Sequence, residues 1–117
     1  MINELIQKVF ATRDAAHRKH WKTKSFAEHS ALSAFYQDVI EAIDSLVENY
    51  IGMFGQFDMP AISSNYSPED MVAHLQEEAD WIETNRDEIC GDSASIGNLV
   101  DNLTTVYTKT IFLLRLK

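Results

Sequence analysis

The sequence predicts an all-α protein, a four-helix bundle with a long connection between its second and third helices. Three observations carry this reading. Apolar residues recur at three-and-four spacing in four separate segments, each with recognisable start or stop residues. The chain of 117 residues is poor in turn formers, with four glycines and two prolines. Its length suits one domain, residues 1–117, able to bury a single modest core.

The first helix is expected from about Asn3 to Lys22, with Leu5, Ile6, Val9, Phe10 and Ala16 on one face and Ile2 at its start. His17 and His20 extend that face as an i,i+3 pair; a capping or packing role competes with ligation at each. Arg18, Lys19, Lys22 and Lys24 form a basic cluster. Its simplest role is to match the negative C-terminal end of this helix, and its sharper reading is a small anion-binding patch.

Ser25 followed by Glu28 is a capping box, so the second helix should start at Phe26. Leu32, Phe35, Tyr36, Val39, Ile40, Ile43, Leu46, Val47, Tyr50 and Ile51 give it a wide apolar face until Gly52 and Gly55 stop it. His29 lies near its start. Asp44 and Glu48, an i,i+4 pair, lie near its end on one face, a turn apart. They would be costly to bury without a partner, and the plain alternative is that they stay hydrated at the edge of the stripe.

Gly52 to Tyr66 forms a long connection containing Met53, Phe54, Phe57, Met59 and Ile62, too apolar for a disordered linker. It can extend to about 50 Å, enough to run the length of the bundle. Packing over the bundle end is the competing course. Ser67-Pro68-Glu69-Asp70 reads as a helix start with Ser67 at the cap and Pro68 in first position. Met71, Val72, Leu75, Ala79, Ile82 and Ile89 carry the third helix to Cys90 and Gly91. Asp70 and His74, with Glu77 and Glu78 following, could hold a metal, but a solvated acidic face is the favoured reading. Asp92, Ser93 or Ser95 caps the fourth helix, whose stripe is Ile96, Leu99, Val100, Leu103, Val106, Tyr107, Ile111 and Leu114, with Arg115 and Lys117 at its end.

Composition excludes several functions. A net charge of −8 argues against nucleic acid as a partner. Cys90 is the single cysteine, so no internal disulfide forms and a reducing compartment is expected. With no long apolar run or signal pattern, no membrane association is expected and a cytoplasmic location follows. No glycine-rich phosphate loop, nucleophile elbow, Cys-x-x-Cys or Glu-x-x-His occurs, and a di-iron site within one chain is therefore not expected.

The chemistry concentrates between His17 and Glu48, which holds three of the four histidines. Histidine and carboxylate are ligands of first-row transition metals. At the helical rise, His29 stands about 22 Å from Asp44 along the same helix, too far to share an ion. A common site therefore needs histidines from one copy and acids from another, giving two equivalent sites in a two-fold homodimer or a larger assembly of such pairs.

His20-Trp21, a short loop, a helix opening with His29, and Asp44-x-x-x-Glu48 fifteen residues on resemble the Dps (mini-ferritin) branch of the ferritin-like family. The resemblance covers about the first 55 residues. It implies a ferritin-like bundle and iron bound, and Fe(II) oxidised, at dimer-interface sites. The implied ligands are His20 and His29 from one chain and Asp44 and Glu48 from its partner, with His17 as a supporting or substitute ligand. It also implies a short helix within the long connection. Where the family commonly carries a further acid, this chain has Ser33, and a lysine-rich DNA-binding tail has no counterpart. DNA binding is thus not expected. The alternative is a metal-independent helical interaction module, or one binding an anionic small ligand.

Overall fold

The computed structural model describes residues 1–63 and 66–116. Among these, four helices and no strand occur: α1 (Ile2–Lys22), α2 (Phe26–Phe54), α3 (Met71–Cys90) and α4 (Ala94–Arg115). The expected boundaries hold closely where caps are strong. Ser25 accepts from the Glu28 amide at the start of α2, and Ser93 accepts from the Ile96 amide at the start of α4. Gly55 and Gly91 end α2 and α3 with positive φ, 94° and 57°, a region L side chains disfavour. Gly52 does not stop α2, which runs on through it.

Two expectations about the connection need correction. Asp70, not Ser67, caps α3, its carboxylate accepting from the Ala73 amide at 3.0 Å. Ser67 is occupied elsewhere: its hydroxyl oxygen accepts from Arg18 at 2.6 Å. The short helix implied between α2 and α3 does not occur among the described residues of the connection. Lys117, expected at the end of α4, lies outside the described residues.

α1 packs on α2, α2 on α4 and α4 on α3, and a thinner α1–α3 contact closes the ring. The end of α1 meets the start of α3: Lys19 donates to the Glu69 carbonyl at 3.0 Å, and Arg18 donates to Ser67 and to the Tyr66 carbonyl. Since α2 also begins there, α2 and α3 run in parallel and the connection must travel the bundle's length. Gln7 donates to the Ala61 carbonyl partway along it, at 3.2 Å.

The core is the set of faces the periodicity marked, including Leu5, Val9, Leu32, Phe35, Val39, Leu46, Leu75, Ile82, Val100 and Leu103, all fully buried. Each such side chain contributes about 1.5–3 kcal/mol. Tyr107 fills the centre, its ring edge-on to Phe35 at 5.3 Å. No helix is long and apolar enough to cross a membrane among the described residues.

Candidate functional site

The turn at residues 23–25 folds the start of α2 back against the last turn of α1 and so brings three histidines together. His20 Nδ1 lies 2.8 Å from the His17 carbonyl, and His29 Nδ1 lies 2.7 Å from the His20 carbonyl. A carbonyl only accepts, so each Nδ1 carries a proton and each neutral ring keeps its lone pair on Nε2. The His20 carbonyl lies in the last turn of α1, where carbonyls lack helical partners, and His29 supplies one. The two rings stack with centroids 4.3 Å apart and planes 25° off parallel. His20 is 7% exposed, yet neither Nε2 has a hydrogen-bond partner among the described residues.

His17 plays a different part. Its ring lies flat on Tyr36, centroids 3.9 Å apart and planes 7° off parallel, with Trp21 at 4.5 Å. Its carbonyl holds His20. Burial, then the neighbouring His20 and Arg13, lower its pKa below the ordinary imidazole value, against a smaller opposing effect of Asp14. Beyond the rings, Trp21 and Phe26 stand out from the surface, 69% and 81% exposed.

Asp44 and Glu48 are exposed on α2, far from this cluster. Asp44 borders an apolar pocket of about 240 Å³ between α1, α2 and the connection, lined by Ile6, Phe10, Val47, Met59 and Ile62. Fifteen residues of unbroken helix separate it from His29, about 22 Å, so one chain does not bring the acids to the histidines. Among the described residues, no three His, Cys, Asp or Glu side chains converge to hold an ion.

A second polar cluster joins His74 and Glu78 of α3 to Thr12 and Tyr107, partners the sequence reading did not give them. The acidic face expected on α3 is solvated at Glu77 but not at Glu78, which is 6% exposed. Tyr107 donates to Glu78 Oε1 at 2.5 Å and Thr12 donates to Glu78 Oε2 at 2.9 Å. His74 Nε2 lies 2.8 Å from the Thr12 hydroxyl and 3.3 Å from Glu78 Oε2. With the Thr12 hydrogen given to Glu78, Nε2 is the donor, and His74 Nδ1 faces the Tyr66 hydroxyl at 3.3 Å. Asp70, paired with His74 in the sequence reading, instead caps α3. Burial, then Glu78, raise the Tyr107 pKa well above the ordinary phenol value, which keeps it a donor. The arrangement ties α1, α3, α4 and the connection through one buried carboxylate. Its sequence signal was a glutamate between Leu75 and Ile82 on the apolar stripe, aligned with Thr12 between Val9 and Ala16.

A protein of Enterobacteria phage T4, described as an uncharacterized 14.6 kDa protein in the mobD-ri intergenic region, is 24% identical over 116 residues, covering 98% of this chain and 88% of its own. No solved structure matches. The resemblance to the Dps branch is overturned by the family model that does match, over residues 20–114, the stretch holding His20, His29, Asp44 and Glu48. One departure agrees: Ser33 stands where the Dps branch commonly carries a further acid. The chain belongs to DUF5856, a family of unknown function.

Proposed function

We propose that this protein binds a divalent first-row transition metal, iron(II) foremost, at sites shared between two copies of the chain. The observation that carries the proposal is the paired anchoring of His20 and His29. Each Nδ1–H is spent on a backbone carbonyl, and the two stacked rings, 4.3 Å apart, each keep an Nε2 with no hydrogen-bond partner among the described residues. A ligating imidazole ordinarily donates its other ring N–H in this way, which fixes tautomer and orientation before the metal arrives.

Two nitrogens are half a ligand set. Asp44 and Glu48 are exposed oxygen donors one turn apart, with no ion-pair partner among the described residues. In an antiparallel two-fold pair the histidine end of one copy meets the acid end of the other, which completes two equivalent sites. Exposed apolar side chains flank both halves. Trp21 and Phe26 accompany the histidines, and Met53, Phe54, Met59 and Ile62 accompany the acids. Such patches mark association surfaces. The chain's residues would supply neutral nitrogen and anionic oxygen donors, a set that suits iron(II).

Metal content after anaerobic dialysis against iron(II) tests the reading. The unmodified protein should retain metal, and His29→Ala and Asp44→Ala should each lose it. Equal retention by all three would overturn the site and leave the metal-independent interaction module in its place.

A further inference from the structure

Five of the ten lysines and arginines fall within residues 13–24, in a chain whose net charge is −8. Three of them, Arg18, Lys19 and Lys22, line a cavity of about 410 Å³ between the end of α1 and the residues leading into α3. This volume lies in the usual range for small-molecule sites, about 300–1,000 Å³. The cavity is distinct from the histidine pair, none of whose members lines it.

Its cations are held to different degrees. Arg18 is fixed by Asp14 at 2.9 Å and by Ser67 at 2.6 Å. Lys19 spends one N–H on the Glu69 carbonyl, leaving two of an ammonium's three donors. Lys22 is exposed and has no side-chain partner among the described residues. The Ser67 oxygen accepts from Arg18, so its own hydrogen is available to donate. Lys19, Lys22 and Ser67 thus present convergent donors beside a fixed guanidinium, the equipment for a phosphoryl group.

The cavity is not uniformly basic. Glu28 and Glu69 also line it, and they would repel a bare anion while accepting hydrogen bonds from hydroxyls. A ligand that satisfies both halves carries a phosphate at one end and hydroxyl groups at the other. We propose that this cavity binds a phosphorylated sugar, free or as part of a nucleoside monophosphate. Ala15 and Pro68 give it an apolar wall for a sugar face.

Amide chemical shifts of the full chain, titrated with ribose 5-phosphate, adenosine monophosphate, adenosine and inorganic phosphate, test this. Saturable shifts at Lys22, Thr23 and Ser67 are expected with the two phosphorylated sugars and weaker ones with the other two probes. Tighter binding of the nucleotide than of ribose 5-phosphate would identify a nucleotide as the source, and the reverse a free sugar phosphate. Lys22→Glu, at an exposed position, should leave helicity unchanged and weaken binding about tenfold or more, the loss of a charged hydrogen bond. His29→Ala should bind as the unmodified chain does, since the metal reading is separate. The proposal is overturned if neither phosphorylated sugar saturates, if inorganic phosphate binds as tightly as they do, or if Lys22→Glu binds them unchanged.

Discussion

The Tyr107 hydroxyl of α4 donates to the Glu78 carboxylate of α3 at 2.5 Å, at the centre of the bundle. With Thr12 donating to the other carboxylate oxygen, α1, α3 and α4 are held in register by a group that would be costly to bury alone. Tyr107→Phe removes one donor and leaves a buried oxygen short of a partner. The expected loss is about 1–3 kcal/mol in urea unfolding. A loss below about 0.5 kcal/mol, no larger than a typical surface change, would show that this bond does not hold the register.

The helices were legible because their signals are local. Ser25 caps as read, Ser93 is the cap among the three candidates at the start of α4, and Gly55 and Gly91 stop where no side chain could follow easily. Glu78 had a signal in its place on the apolar stripe, but its partners were not legible because they lie 66 and 29 residues away, and only the folded chain joins them. The start of α3 was misplaced for the same reason. Ser67 has the right local chemistry for a cap, but Arg18, 49 residues earlier, takes its oxygen, and Asp70 caps instead. Of the metal reading, the sequence offered residue types and spacings. It did not contain the Nδ1 anchoring, which depends on how the 23–25 turn sets α2 against α1.

Gly97 makes room for Arg86. A Cβ there would stand 2.7 Å from Arg86 Nη2, while that guanidinium grips Asp101 through two bonds of 2.7 and 3.0 Å. Alanine in place of glycine favours a helix by about 1 kcal/mol. Gly97→Ala should therefore stabilise an Arg86→Ala chain by about that amount and the unmodified chain by clearly less. A four-member cycle of thermal melts measures the difference. Equal gains in both backgrounds would mean that Arg86 moves aside without cost.

His17 should make stability depend on pH. Its folded pKa lies below the ordinary value of 6.5, so the unfolded chain binds the proton more readily. The contribution is full above the unfolded value and falls as pH drops through the window beneath 6.5. His17→Phe keeps a ring on Tyr36 and should flatten this slope. Unfolding midpoints measured on either side of the window check it, and an unchanged slope would place its origin in other groups.

Trp21 and Phe26 should report on assembly. Replacing both with serine removes the exposed aromatics beside the histidines and should shift sedimentation from dimer towards monomer at micromolar protein. Helicity should be retained, since neither side chain belongs to the core. A pair of unchanged sedimentation profiles would remove this surface from the interface.

Mixing two metal-deficient variants measures whether His29 and Asp44 meet between copies. His29→Ala and Asp44→Ala should each abolish iron binding, since each strips a ligand from every site. In a mixed dimer one site lacks both ligands, while the other takes its histidine from the Asp44→Ala chain and its aspartate from the His29→Ala chain. With subunit exchange verified by mass-tagged chains, bound iron should return to a substantial fraction of the unmodified level. If the mixture stays as empty as either parent, His29 and Asp44 do not share an ion across two copies.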